Sequence, residues 1–145
     1  MSTEPLSVEP LAVGQTAESS KTVTQQDIEM FAAVSGDHNP VHLDAAFAAA
    51  TPFKGIIAHG MLSASFISAI LGTTLPGKGT IYMGQNLKFL APVRPGDTVR
   101  TVITVKEIHA EKRRVICQTA CYVGDTQVID GEATLLVPAR YIKAA

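Results

Sequence analysis

The sequence predicts an α+β domain, an antiparallel sheet curling around one apolar helix. Two observations carry this. Gly60 to Gly72 is apolar nearly all round, the signature of a helix enclosed by a small domain rather than lying on its surface. From Thr80 onward four segments in succession read as strands separated by turn signals, as expected of an antiparallel meander. A sheet of that kind keeps an open edge and a half-covered face, so pairing with a second copy of the chain is expected.

Taken in order, residues 1–145 form one domain whose first dozen residues are expected to be irregular. Val13 to Val23 has strand character. Thr24 and Asp27 resemble a capping box with Asp in place of Glu or Gln, opening a helix marked by Ile28, Phe31, Ala32 and Ser35, and Gly36 is its stop. Asp44 caps a second short helix, "AAFAAAT", closed by Pro52. The apolar helix ends at Pro76 and Gly77. The strands follow as "TIYMGQNLKFLAPV", "DTVRTVITVKEIHA", "RRVICQTACYV" and "TQVIDGEATLLVP". Pro92, Pro95 and Gly96, then Glu111 and Lys112, then Gly124 and Asp125, separate them.

Composition excludes several functions. Hydrophobic residues are 46% and charged residues 17% of the chain, an apolar balance that suits a surface buried between subunits. A net charge of −1 gives no basic field to gather nucleic acid or an anionic membrane. The opening "MSTEPLSVEP" lacks the basic and apolar regions of a secretory signal. The apolar run from Ile56 to Leu71 is broken by His59, Gly60 and three serines, so it is short for a membrane span. A cytoplasmic protein is expected. Cys117 and Cys121 lie in an alternating segment and suit core packing; one CxxxC without a second pair is not a zinc motif.

The stretch "SGDHNPVHLD", Ser35 to Asp44, concentrates polar chemistry between two alanine-rich segments. Pro40 disfavours a continuous helix through Asp37–His42 and biases Asn39 toward an extended conformation, so the side chains sit on a turn and can converge. A carboxylate accepts only, whereas a neutral imidazole offers one donor and one acceptor, so Asp37 and His42 can hold one water and exchange protons with it. Two other readings stand beside this one. Asp37 and Asn39 can serve the turn backbone while His42 lies on the surface. Alternatively, His38, His42 and His59 form a metal set, although Pro40 spoils the shared helix face that HxxxH requires.

Two further motifs lie in or beside the helix. "GTTLPGKG", Gly72 to Gly79, imitates a phosphate loop, but Gly79 replaces the Ser or Thr that binds Mg²⁺ and a helix precedes it. It is a terminating turn. "AHGMLSAS" sets His59 and Gly60 at the helix start, where backbone N–H groups lack internal partners and carry the positive end of the dipole. Glycine at 60 permits close approach of a carbonyl, which makes an oxyanion site. Gly60, Ala64 and Ser68 recur on one face and leave a narrow track beside the helix, or simply let strands pack closely. No acid occurs between Gly60 and Thr74, so Asp37 and His42 are the suppliers of acid and base. A serine nucleophile at Ser63 or Ser65 lacks the nucleophile elbow.

Together "FAAVSGDHNPVHLD", "GIIAHGML" and "GQNLKFLAPVRPGDTV" resemble the MaoC-like (R)-specific enoyl-CoA hydratases, or hydratase 2, over roughly Val13 to Pro138. The likeness is closest to the short bacterial enzymes that link fatty-acid β-oxidation to polyhydroxyalkanoate synthesis. The resemblance implies a hot-dog fold, a homodimer, and reversible syn hydration of trans-2-enoyl-CoA to (R)-3-hydroxyacyl-CoA without metal or organic cofactor. It implies that Asp37 and His42 activate water, that Asn39 shapes the catalytic loop, that Gly60 binds the thioester oxygen, and that Ser68 lies along the acyl track. The block "GQNLKFLAPV" falls where the family contacts the CoA arm, and Lys54, Lys78, Lys88 and Arg94 are candidate phosphate partners. The same fold also serves dehydratases acting on acyl-carrier-protein substrates, thioesterases, and non-catalytic acyl-CoA-binding domains.

Overall fold

A computed structural model describes residues 10–143. In chain order the elements are β1 (Thr16–Thr22), α1 (Gln25–Ser35), α2 (Pro40–Leu43), α3 (Ala45–Ala49), α4 (Gly60–Thr73), β2 (Ile81–Phe89), β3 (Thr98–His109), β4 (Arg114–Val123) and β5 (Thr126–Leu136). Single 3-10 turns occupy Ala110–Lys112 and Ala139–Tyr141. The strands form one sheet in the order β1-β3-β4-β5-β2, every neighbouring pair antiparallel, with α4 against its inner face. This is the hot-dog arrangement. Of the irregular opening expected from the sequence, residues 1–9 lie outside the described residues, and residues 10–12 carry neither helix nor strand.

The strand order corrects the expected meander. Only β3, β4 and β5 follow one another as neighbours, and β2 pairs with β5 instead of β3. The segment joining β2 to β3 contains Pro92 and Pro95, which offer no N–H to a tight hairpin, so the chain crosses to the other side of the sheet. Where a short turn is available it is used: Gly124 and Asp125 alone separate β4 from β5.

Alternation builds the core. On β3 the inward residues Val99, Thr101, Ile103 and Val105 are buried, and Val115, Cys117, Thr119 and Cys121 continue the layer on β4. Both cysteines are free and buried, and burial pushes the Cys117 thiol up to about 12. On β5 a register shift lets Val128 and Ile129 both face inward, one bulge presenting two adjacent apolar side chains. From α4, Ile67 and Leu71 are fully buried among these residues.

The expected enclosure of α4 is one-sided. Leu62, Ser63, Ala64, Ile67, Ile70 and Leu71 are buried, whereas Met61, Ser65, Ser68 and Ala69 are exposed. Five strands cover only one side of the helix, and the sequence signal of an all-round apolar helix outruns what one chain buries. The edge strand β2 is likewise apolar and open, with Ile81, Tyr82 and Met83 exposed and Phe89 and Leu90 exposed at its end.

Local signals set the remaining boundaries. Thr24 Oγ1 accepts the Asp27 N–H at 3.1 Å and the Asp27 carboxylate accepts the Thr24 N–H at 3.0 Å, so the shorter acid completes the capping box. The Thr24 N–H, with Lys21 beside it, holds the Asp27 carboxyl below its ordinary range. Asp44 caps α3 by accepting the Phe47 N–H at 3.1 Å, and α3 stops at Ala49, short of Pro52.

Candidate active site

The loop between α1 and α2 is held residue by residue. Ser35 Oγ donates to the Phe31 carbonyl at 2.6 Å and accepts the Asp37 N–H at 3.1 Å. Gly36 takes a left-handed φ of 81°, a conformation that suits glycine, and its N–H closes α1 onto the Ala32 carbonyl. The Asp37 carboxylate accepts the Asn39 N–H at 3.1 Å, and Asn39 Oδ1 accepts the Val41 N–H at 3.2 Å. Pro40 then occupies the first position of a one-turn helix, where its missing N–H costs nothing. The sequence reading made this stretch a turn throughout; in the structure Gly36 closes α1 and Pro40 opens a further helical turn as its first residue.

That second turn aims His42 inward. His42 is 8% exposed and His59, just before α4, only 2%. His42 Nδ1–H donates to the Ile57 carbonyl at 2.7 Å, which leaves Nε2 as an acceptor. His59 Nε2 lies 3.0 Å from the Asp37 carbonyl oxygen. The two imidazoles stack with centroids 3.8 Å apart and planes 30° apart. One ligating atom from each of Asp37, His42 and His59 lies within 4.8 Å of the other two.

These three residues line a cavity of about 410 Å³. Gly60, Met61 and Ser63 at the start of α4 form one wall, Phe89 to Val93 a second, and the bulged pair Val128 and Ile129 a third. The His59 side chain makes no capping bond to α4, so the positive end of the helix faces the cavity without a side-chain cap. Gly60 has a second reason to be glycine: a Cβ there would come within 2.6 Å of the Phe89 ring.

The structure brings Asp37, His42 and Gly60 to one cavity, while Asn39 lies outside its lining and bonds Asp37 and Val41 within the loop. Ser68 is not with them. It is exposed on α4 and outside the cavity lining, while Ser63 lines the cavity at 1% exposure, its hydroxyl without a partner among the described residues. Periodicity placed Ser68 on the glycine's face, but the inward stripe runs through Ser63 and Ile67. His38 is also outside; it is exposed and its Nδ1 bonds the Gly36 carbonyl at 3.1 Å. Of the basic candidates, Lys54 and Arg94 adjoin the cavity-lining Phe53 and Val93, and Arg94 donates to the Phe53 carbonyl. Lys78 lies beyond the far end of α4, roughly 20 Å of helix away.

A family model, the MaoC like domain, matches residues 9–129. The chain belongs to the MaoC-like family. It is 53% identical over 132 residues to the (R)-specific enoyl-CoA hydratase of Rhodospirillum rubrum, across 91% of this chain and 92% of that one. The R-hydratase PhaJ1 of Pseudomonas aeruginosa in its unliganded form matches with a TM-score of 0.84 and 51% identity, over 88% of this chain and 83% of that chain. The (R)-hydratase from Aeromonas caviae involved in PHA biosynthesis matches with a TM-score of 0.86 and 44% identity, over 88% and 98%.

In this MaoC-like site the sequence-derived triplet His38, His42, His59 gives way to Asp37, His42, His59. Stacked rings send their in-plane lone pairs along side-by-side lines, whereas a zinc ion needs them to converge at about 2.0–2.1 Å. One nitrogen of each ring already faces a backbone carbonyl. Exhaustive chelation is therefore expected to leave the unfolding midpoint and catalysis unchanged. Activity lost to chelator and restored by Zn²⁺ alone would show the three residues to be ligands.

Proposed function

We propose that the protein is a hydro-lyase that reversibly hydrates trans-2-enoyl-CoA to (R)-3-hydroxyacyl-CoA, with no metal or organic cofactor. The observation that carries this is the convergence of Asp37 and His42 on one cavity wall beside the start of α4. The family and the near relatives support the same reading.

The chemistry follows from the geometry. A water making two hydrogen bonds of about 2.8 Å can bridge a carboxylate oxygen and a ring nitrogen that lie within 4.8 Å of each other. As the water oxygen bonds to Cβ, its proton passes to one member of the pair and the C=C electrons move toward the thioester carbonyl. The N–H of Gly60, at the positive end of α4, stabilises that oxygen, and collapse of the enolate takes back at Cα the proton that the pair accepted from water. Asn39 holds the loop through its bonds to Asp37 and Val41. We further propose a cytoplasmic location, where CoA thioesters and the two free cysteines both fit, and a role in supplying polyhydroxyalkanoate monomers.

Asp37→Asn and His42→Gln are each expected to lower kcat by roughly 10²-fold or more. The double variant should fall far less than the product of the singles, since both groups act on one water. Near-normal turnover in either folded single variant would remove that residue from the mechanism.

A homodimer is part of the proposal, supported by the exposed apolar residues of β2 and of the outer side of α4. Light scattering at micromolar concentration should give twice the chain mass of 15.3 kDa, and a monomer mass would overturn it.

The test of the function itself is stereochemical. Water and proton come from one wall, so both reach the same face of the double bond, and hydration of crotonyl-CoA is expected to be syn. NMR of product formed in deuterium oxide reads the relative placement of deuterium and hydroxyl; anti addition would defeat the mechanism. An (S)-specific 3-hydroxyacyl-CoA dehydrogenase coupled to the reaction should stay silent while the enoyl absorbance falls.

A further inference from the structure

We infer that His59 is a positioning residue of this reaction: its Nε2–H holds the main-chain carbonyl of Asp37 while its ring face backs His42, so that carboxylate and imidazole address the same water. The inference rests on the hydratase reading and extends it to a residue that touches neither water nor substrate in the mechanism.

Three observations point to it. First, His59 stands at the capping position of α4 yet leaves that helix uncapped, and its ring crosses instead to a carbonyl 22 residues earlier in the chain. A carbonyl oxygen only accepts, so Nε2 carries the hydrogen; the opposite tautomer would set two lone pairs against each other at 3.0 Å. Second, that tautomer leaves Nδ1 a bare acceptor, and Nδ1 is buried with no partner among the described residues. An unpaired buried acceptor is unfavourable, and a phenylalanine in the same slot would avoid it. The ring lies between Phe31, 4.9 Å away at 55°, and His42, surroundings that packing alone would fill with a hydrocarbon. The Asp37 bond is what requires an imidazole.

Third, Asp37 is exposed on a loop with neither helix nor strand at residues 36–39. The bonds to Ser35 and Asn39 are local to that loop and travel with it. The His59 bond alone among these ties the loop to α4, whose start is the oxyanion site. It therefore fixes the distance between the two halves of the mechanism, and an error of about 1 Å in such a distance can cost about 100-fold in rate.

The unsubstituted protein is assayed first on crotonyl-CoA; absence of turnover would sink the hydratase reading and this inference with it. Given turnover, His59→Phe keeps the ring and loses the N–H, whereas His59→Gln loses the ring and keeps an amide N–H of comparable reach. The Phe variant is expected to lose about 10- to 100-fold in kcat with KM within about twofold, and the Gln variant to recover most of that loss. In an Asp37→Asn background His59→Phe should cost less than about threefold more, because it acts through Asp37. Wild-type kcat in the Phe variant, equal losses in Phe and Gln, or an undiminished loss in the Asp37→Asn background would each overturn the inference while leaving the hydratase reading intact. Long-range ¹H–¹⁵N spectra of the unsubstituted protein read the tautomer without any variant having to fold. Protonation at Nε2 is expected, and a neutral ring protonated at Nδ1 overturns the inference.

Discussion

The seating of α4 on the sheet is the contact on which the rest depends. Ile67 and Leu71 are fully buried against the strand layer, each contributing about 1.5–3 kcal/mol relative to exposure. That seat does more than stabilise. It sets where the first turn of the helix emerges, and the cavity is assembled around this point. Phe89 reaches it from the end of β2, the bulged Val128 and Ile129 from β5, and the Asp37 loop from α1. A shift of the helix along its axis would move its N-terminal N–H groups relative to all three.

The short polar loop solves a different problem. Residues 36–39 have no regular backbone ladder, so their N–H and carbonyl groups need partners from side chains. Ser35, Asp37 and Asn39 supply these in sequence, each serving the backbone two residues on. Asp37 thus has two duties, one carboxylate oxygen bound to the turn and the carboxylate as a whole facing the cavity. The turn bonds of Asp37 and Asn39 are those the structural reading expects, but His42 is buried at the cavity and not on the surface.

What the sequence made legible was what lies close along the chain. The alternation of Val99, Thr101, Ile103 and Val105 marks β3 and its inward face without any partner being known. Thr24 with Asp27, and Asp44 before its alanines, mark helix starts because caps are local chemistry. Strand order was less accessible: nothing in "TIYMGQNLKFLAPV" says that it pairs with the last strand, since that choice is made by a crossover and a distant partner. The site divided in the same way. Asp37, His42 and Gly60 belong to compact motifs and converge as expected. Ser68 was expected beside the site, yet it is Ser63 that lines the cavity, because a helix with apolar residues on every side gives no periodic sign of which face turns inward. His59 was seen as a possible ligand, but its bond to the Asp37 carbonyl spans two segments and leaves no local signature.

The uncapped start of α4 has a consequence for how this protein can be improved. Replacing a poor capping residue by Ser, Thr or Asp commonly adds about 1 kcal/mol, and position 59 looks like an obvious opportunity. Here the gain would come from turning a side chain back onto its own helix and away from the neighbouring loop. A new cap oxygen would also compete with a ligand for the helix N–H groups. On the positioning role proposed for His59, tolerance to heat and speed of turnover pull this one position in opposite directions, and a stabilised protein should be sought through the far end of the helix instead.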